Sequence, residues 1–328
     1  MSAPAIAGRG GPPAPSRPRR ALSAAGGNGT VVWGVCLLLA VALAVVNPSV
    51  FLGQENLANL LSQTVVLALV AVGQMFVVLT GGIDLSVGSV ATLTAVLTAG
   101  MINGYPIRVT PVLIGVLAVG ALIGACHGAL VTKARMVPFV VTLGTFYLIQ
   151  GVAYAYSSTP VGAIPNDLAG FVILTLGPLP AIFVVVLLIA VVLSWVLART
   201  PFGRHVYATG GDPAIARSAG INTTRVTIAA YVICSVLAAL AGFVLASKAT
   251  VGTPSAGSGL ELSAITAVVL GGTSLFGGRG KLVGTAGGVL LLALVENAFT
   301  LMHLSSFYQD LVRGAVIVAA VAVFSRKD

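Results

Sequence analysis

Long apolar stretches alternate with short polar or glycine-rich breaks along almost the whole chain. An α-helix needs about 20 apolar residues to cross about 30 Å of hydrocarbon. Breaking the sequence at its polar and Pro/Gly clusters predicts ten transmembrane helices, over 31–49, 57–79, 85–103, 111–132, 138–156, 173–197, 226–247, 260–276, 283–302 and 307–324. The eighth is short and interrupted by glycines, and only TGGIDLS separates the second from the third. We therefore predict an all-α membrane protein in which some helices are short or broken.

The sequence contains no linker that would separate two soluble domains. Residues 1–30 are rich in Pro, Gly, Ala and Ser and include four arginines, which is typical of a disordered basic tail. A signal peptide is disfavoured because the tail is long for one and many further apolar stretches follow it. We expect a single transmembrane domain over 31–324 and a short cytoplasmic end over 325–328.

The composition supports the membrane class independently of the helix pattern. Hydrophobic residues make up 57% of the chain and charged residues only 8%, whereas soluble domains carry about 25% charged residues. A soluble protein of this composition would expose an apolar surface and aggregate. The three cysteines lie in apolar stretches without a C-x-x-C pair, so they indicate neither a disulfide framework nor a metal site.

The net charge of +9 could reflect either nucleic-acid binding or the excess of Lys and Arg in cytoplasmic loops. With the amino end in the cytoplasm, fourteen of the seventeen Lys and Arg residues fall on the cytoplasmic side and two, Arg108 and Lys248, on the outer side. Arg313 lies in the last predicted helix. This distribution supports ten helices with both ends cytoplasmic, and it removes the case for nucleic acid as a partner.

A glycine-rich stretch, VVLGGTSLFGGRGKLVG over 268–284, resembles a phosphate-binding loop but fails its requirements. Such a loop needs G-x-x-x-x-G-K-[ST], and here Leu275 and Leu282 replace the first glycine and the hydroxyl. We interpret the stretch as a structural glycine loop at the cytoplasmic edge, where glycines let helices approach closely. The glycines assigned to this structural loop are Gly271, Gly272, Gly277, Gly278 and Gly280.

The longest polar stretch between helices is RTPFGRHVYATGGDPAIARSAGINTTR, over 199–225. Asp212 is suited to cap a short helix, Pro213 to occupy its first position, and Gly220 to end it. Pro201 and the pair Gly210–Gly211 are expected to interrupt the stretch before that helix. Two interpretations remain open, an ordinary solvated loop or a rigid docking helix for a cytoplasmic partner.

At this stretch the sequence resembles the permeases of ribose-type ATP-binding-cassette importers, a superfamily that includes branched-chain amino-acid permeases. TPFGRHVYATGGDPAIARSAGI is similar to their cytoplasmic coupling loop, and GGIDLSVGS, VPFVVTLGT and ELSAITAVVLGGTSLFGGRG match three further motifs, over about residues 55–324 in total. The resemblance implies a bacterial inner-membrane permease that dimerises and pairs with a cytoplasmic ATPase and an extracytoplasmic solute-binding protein. The residues implied in coupling to the ATPase are Gly203, Arg204, Gly210, Gly211, Asp212, Ala216, Arg217 and Gly220.

Polar residues within the apolar stretches are candidates for the solute pathway. They are Gln74, Asp84, Ser86, Thr142 and Asn297. Each also has a structural interpretation: Asp84 could cap a helix that begins at Leu85, and Gln74 or Asn297 could hydrogen-bond between helices. Glu296 precedes Asn297 where the resembled family commonly carries paired amides, which leaves the role of the first position open.

We therefore expect the membrane subunit of an ATP-driven importer for a sugar or sugar-like solute, working by alternating access. The chain has no ATP-binding motif, so ATP and magnesium are expected on a partner chain and the permease itself is expected to bind no cofactor and to catalyse no reaction. An ion-coupled secondary transporter is the alternative, because broken helices occur there as well. An intramembrane enzyme or a metal site is disfavoured, since His127, His205 and His303 have no suitably spaced partners.

Overall fold

The computed structural model describes residues 27–302 and Gly314, and it is built almost entirely of helices. A 3₁₀ turn, Pro106–Arg108, precedes α5, and a short hairpin of β1 (Thr175–Leu176) and β2 (Leu179–Pro180) precedes α8. The helices are α1 (Gly27–Val46), α2 (Pro48–Phe51), α3 (Gln54–Leu79), α4 (Val87–Ile102), α5 (Val109–Thr132), α6 (Pro138–Tyr156), α7 (Asn166–Ile173), α8 (Ala181–Arg199), α9 (Pro201–Gly211), α10 (Pro213–Ser218), α11 (Thr223–Ala249), α12 (Leu260–Leu270) and α13 (Leu282–Leu301). The predicted all-α class is confirmed.

Nine of the ten predicted transmembrane helices have a counterpart in the described part of the chain. Six helices are long and apolar enough to cross a membrane, namely α3, α5 with its preceding turn, α6, α8, α11 and α13. The counterparts α1, α4 and α12 are apolar but shorter. Apart from Gly314, the predicted tenth helix, 307–324, lies outside the described residues, as do 325–328 and most of the basic tail.

The largest errors in the predicted boundaries have identifiable local reasons. The first helix ends at Val46 rather than at residue 49, because a residue before proline avoids the helical conformation and Pro48 follows Asn47. The sixth begins at Ala181 rather than at residue 173, after a hairpin that turns at Gly177 with φ +64°. The eighth stops at Leu270 rather than at residue 276, and Gly272 just beyond it has φ +82°.

The centre of the bundle is formed by α3, α4 and α11. Nearly every side chain of α4 is buried, which explains why its sequence is apolar or small on all faces. On α5, the glycines Gly120, Gly124 and Gly128 recur every four residues, and a Cβ at any of them would collide with the α11 backbone. This small-residue stripe brings the two helices into direct backbone contact.

The ends of the helices gather at two ends of the bundle. At one of them, the ends of α3, α5, α8 and α12 meet the starts of α4, α6, α11 and α13. Eight of the ten Lys and Arg residues in the described part belong to the connections at this end, whereas Arg108 and Lys248 lie at the other. We call the first the basic end and the second the opposite end. The charge asymmetry is the one expected when the basic end faces the cytoplasm.

Candidate functional site

A short protruding helix, α10, stands at the basic end. The Asp212 carboxylate caps it, since Oδ1 accepts hydrogen bonds from the backbone N–H groups of Ala214 (2.8 Å) and Ile215 (3.0 Å). Gly220, with φ +82°, closes the other end: its N–H donates to Arg217, and the next N–H donates to Ala216. The predicted helix and both of its caps are confirmed. Its docking role stays a prediction.

The surface of α10 is almost entirely exposed. Ala216 is the buried exception and anchors the helix, whereas the Ile215 side chain is 69% exposed. Arg217 projects from the same short helix and donates to the Thr223 hydroxyl at 3.4 Å. An apolar side chain beside a cation on a rigid, capped helix is the arrangement expected of a protein-docking element.

A second helix, α9, precedes α10 and was not predicted. Pro201 and the Gly210–Gly211 pair were expected to interrupt the stretch, yet they lie at the first and last positions of this helix. Proline suits the first helical position because its missing N–H needs no partner there. Thr200 caps the helix by accepting from the Gly203 N–H at 3.3 Å, and Gly203 packs directly on the Leu197 backbone of α8. Arg204 is exposed on α9.

The far end of α9 packs into a junction of three glycine-rich segments, which we call the glycine junction: residues 79–82, 210–211 and 277–278. The Gly278 N–H donates to the Leu79 carbonyl at 3.0 Å, which ties the loop before α13 to the end of α3. A Cβ on Gly210 would collide with Leu79 O and Gly278 N. The φ angles of Gly277 (+88°) and Gly278 (+68°) also favour glycine there.

Two further contacts bind α9 to neighbouring elements. The Tyr207 hydroxyl donates to the Gly280 carbonyl at 2.9 Å, and burial raises the pKa of Tyr207, so the hydroxyl keeps the proton it donates. Phe202 stacks on Phe76 of α3 with ring centroids 6.4 Å apart. The helix α9 is therefore packed on α3 and on the connection between α12 and α13.

The remaining glycines of the predicted structural loop also make close approaches. Gly271 packs against Gly284 of α13, and neither position has room for a Cβ. Gly280 rests on the Thr273 side chain. Gly272, at φ +82°, reverses the chain after α12. The interpretation of this stretch as a structural loop agrees with these contacts.

Between α3 and α4 the chain forms a non-helical turn, which we call the Asp84 elbow (residues 80–86). The Asp84 Oδ1 atom accepts from the Ser86 N–H (2.9 Å) and the Ser86 hydroxyl (2.6 Å). The helix begins at Val87 with Ser86 as its N-cap, so the expected start at Leu85 and the expected cap at Asp84 were wrong. Asp84 instead fixes the turn before the cap.

Four of the five pathway candidates converge at this elbow. The Gln74 carboxamide pairs with the Asp84 backbone, donating to its carbonyl (3.0 Å) and accepting from its N–H (3.1 Å). The Thr142 hydroxyl of α6 lies 3.2 Å from the Ile83 carbonyl. Gln74, Asp84, Ser86 and Thr142 are each fully buried in the single chain. Their assignment to the pathway stays a prediction.

The fifth pathway candidate lies elsewhere. Asn297 of α13 exchanges hydrogen bonds with Asn56 of α3, its Nδ2 donating at 2.8 Å and its Oδ1 accepting at 3.4 Å. It is 2% exposed. This geometry matches the alternative of an interhelical hydrogen bond, and the preceding Glu296 remains partly exposed.

Sequence reasoning missed two aromatic neighbours of the Asp84 elbow. His127 of α5 places Nδ1 3.8 Å from Asp84 Oδ2, and Tyr231 of α11 meets the His127 ring edge-on with centroids 6.2 Å apart. The Tyr231 hydroxyl lies where a Cβ on Gly82 would be, so glycine at this position lets the elbow close over the ring. His127 is a packed core residue, as expected, but it faces an acid that the sequence spacing did not indicate.

The described residues contain no group of three His, Cys, Asp or Glu side chains that could hold a metal ion. The polar groups of the elbow hold one another and the backbone, and the basic end carries the exposed helix α10 beside α9, which packs on α3 and α8. The arrangement is suited to transmit a displacement from outside the membrane into the bundle.

Comparisons with known proteins find transport permeases. The family model described as "Branched-chain amino acid transport system / permease component" matches residues 56–321. The ribose import permease protein of Bacillus subtilis (strain 168) is 42% identical over 89% of this chain and 91% of its own length. The fructose import permease protein of Rhizobium meliloti is 35% identical over 88% and 83%, and the D-allose transport system permease protein of Escherichia coli (strain K12) is 31% identical over 89% and 90%. No solved structure matches the chain significantly.

Proposed function

We propose that this chain, which belongs to the family of branched-chain amino acid transport system permease components, is the membrane-spanning subunit of an ATP-binding-cassette importer for a sugar. The observation that carries the proposal is the similarity to three sugar permeases, each over more than four-fifths of both chains. The nine apolar helices of the described part suit a multi-pass protein of the bacterial inner membrane.

The family is one of transport permeases, so the chain is a transport subunit and not an enzyme. ATP and magnesium would bind a separate cytoplasmic ATPase, and a soluble binding protein would deliver the solute from outside. A second copy of this chain would complete the pathway. These partners are supported by the family relationship, and the exposed, capped helix α10 at the basic end is a suitable contact for the ATPase.

The geometry of the basic end suggests how ATP hydrolysis on the partner ATPase would move this chain. The ATPase would contact the exposed face of α10 around Ile215. Because α9 immediately precedes α10, with only Asp212 between them, and packs on the glycine junction, a displacement of α10 would carry the end of α3 and the connection from α12 to α13 with it. The ATPase can shift the permease between states only to the extent that ATP binds the two states with different affinity.

Uptake of labelled sugars by cells tests the proposal. A strain without its own pentose and hexose importers would express this chain with the ATPase and binding protein encoded beside it, and would be given ribose, allose and fructose in turn. We expect saturable uptake of at least one sugar that stops when ATP is depleted. Uptake that a protonophore abolishes while ATP is held constant would instead identify an ion-coupled secondary transporter.

A further inference from the structure

The segment between α11 and α12, residues 250–259, enters the bundle instead of remaining at its surface. At its start, Gly252 forms a two-hydrogen-bond bridge with Val161, both bonds 2.9 Å long, and packs against α4 near Ala95. Further along, the Gly257 N–H donates to the Thr92 hydroxyl at 3.0 Å. The segment therefore runs along α4 from the opposite end towards the middle of the bundle. We call it the re-entrant segment.

The depth of the re-entrant segment follows from helix geometry. From Ile102, the last residue of α4, back to Thr92 the axis is about 15 Å long at 1.5 Å per residue. That distance is half of a hydrocarbon core of about 30 Å. The eleven residues of α12 add about 16 Å, so the segment and the half-length helix cross the membrane together.

The inner sides of the re-entrant segment are packed against protein. Gln150 of α6 donates through Nε2 to the Pro254 carbonyl at 2.7 Å. Gly257 lies directly on the Gly88 carbonyl of α4, where neither glycine has room for a Cβ. The Glu261 carboxylate holds the last turn by accepting from the Gly259 N–H at 3.2 Å, and its second oxygen packs on Gly88. These contacts hold the segment in one position.

The remaining side is open in the single chain and is polar. Ser255 and Ser258 are exposed there, beside Leu262 at 51% exposure. Non-helical backbone at membrane depth is tolerated only where protein covers it or where it lines a water-filled cavity. Lipid is therefore excluded as the medium on this side. The choice lies between a dry contact with another chain and an aqueous path.

We propose that the open side of the re-entrant segment lines the aqueous path at mid-membrane and that the Ser255 and Ser258 hydroxyls hydrogen-bond the hydroxyl groups of a polyhydroxylated solute. The class of solute rests on the proposed function, whereas the aqueous path rests on the depth and exposure of the segment. Serine hydroxyls both donate and accept, so they can pair with sugar hydroxyls in more than one orientation. The fixed backbone keeps them in place for this contact.

Thiol labelling tests the aqueous path. Ser255→Cys and Ser258→Cys would be made in a Cys126→Ala background, because Cys126 is exposed while Cys36 and Cys234 are buried. The permease, with its ATPase and binding protein, would be treated with a sulfonated methanethiosulfonate in right-side-out and in inside-out vesicles. Ser158→Cys in an exposed loop reports full access to water, and Val192→Cys on the apolar outer face of α8 reports lipid.

We expect both segment variants to react, from at least one face of the membrane, at rates within about 10-fold of the Ser158→Cys rate. Val192→Cys should react at least about 100-fold more slowly than Ser158→Cys, because only the thiolate is reactive and an apolar medium suppresses its formation. Reaction of both segment variants as slow as that of Val192→Cys from both faces would overturn the proposal. If labelling of both segment variants is slow but sugar uptake is normal, the proposed function remains supported although the aqueous path is refuted. Rapid labelling without uptake of any sugar by the unmodified complex would refute the proposed function alone.

The solute contact has its own test by substitution. We expect Ser258→Leu to lower uptake at least about 10-fold at unchanged protein level, because a hydroxyl that pairs with the solute is replaced by an apolar group. Ser258→Thr, which keeps the hydroxyl, should restore most of the uptake. Val192→Leu on the outer face of α8 is the matched control and should transport normally. Equal uptake by Ser258→Leu and Ser258→Thr would contradict the contact.

Discussion

The glycine junction offers the sharpest prediction, because one methyl group tests whether α9 must lie directly on the end of α3. In Gly210→Ala the new Cβ would collide with two backbone atoms, Leu79 O and Gly278 N, and neither can rotate away as a side chain could. The hydrogen bond that joins these two atoms, 3.0 Å long, would break or lengthen.

The cost of that methyl group can be worked out from its separate contributions. Overpacking costs about 1–3 kcal/mol, the lost hydrogen bond about 1 kcal/mol, and the gain in helix propensity returns about 0.5–1 kcal/mol. We expect a net destabilisation of about 2 kcal/mol, together with a loss of uptake of at least about 10-fold because the coupling helix would be displaced from α3.

Thermal unfolding of the purified permease and sugar uptake by cells would be measured on the same variants. Gly211→Ala is the local stability control, since a Cβ at that neighbouring position meets nothing within 4 Å. Gly115→Ala on α5, equally unobstructed, is the control for uptake. The close contact at the junction would be refuted if Gly210→Ala had the same melting temperature as Gly211→Ala and the same rate of sugar uptake as Gly115→Ala.

Three further predictions address the elements around the junction. Asp84→Ala should destabilise the protein by about 2–4 kcal/mol, because it leaves two buried donors, the Ser86 N–H and the Ser86 hydroxyl, without their acceptor. Asp84→Asn should cost less, and a melting series that ranks the two variants otherwise would contradict the elbow geometry. Asp212→Ala should destabilise α10 by about 1 kcal/mol and weaken stimulation of the partner ATPase by solute, while Asp212→Ser should restore it. Tyr207→Phe should cost about 1 kcal/mol and lower uptake without lowering protein level, and normal uptake would exclude a role for its bond to Gly280.

The features that the sequence predicted correctly depend on local physics. The nine described apolar helices follow from stretch length, and α10 follows from a capping aspartate, a proline at the first position and a terminal glycine. Errors arose where a proline or a glycine can either interrupt a helix or belong to it. Pro201 was taken as a break although it starts α9, and Gly210 was taken as a break although α9 needs it for close packing.

The features that the sequence did not reveal depend on contacts between distant parts of the chain. Asp84 lies in the turn between α3 and α4 and His127 lies on α5, and no sequence spacing predicts that these two residues meet. The re-entrant segment has the serine and glycine composition of an outer loop, and counting apolar residues placed the whole eighth crossing after it. The contacts of Gly257 with Thr92 and Gly88 of α4 reveal its depth.

These contacts make α4 the element shared by the two sites. Its beginning is attached to the Asp84 elbow, whose residues 80–82 also belong to the glycine junction, and Gly88 within its first turn supports the re-entrant segment. Nearly every side chain of α4 is buried, so a close-packed neighbour cannot be displaced far without displacing α4. We therefore expect a displacement of α10 that moves the junction to shift or rotate α4, and the re-entrant segment with it. The helix α4 then connects the proposed ATPase contact at the basic end to the proposed solute contact at mid-membrane, so Gly88→Ala should uncouple them: solute should no longer stimulate the partner ATPase, although α10 and its caps remain intact.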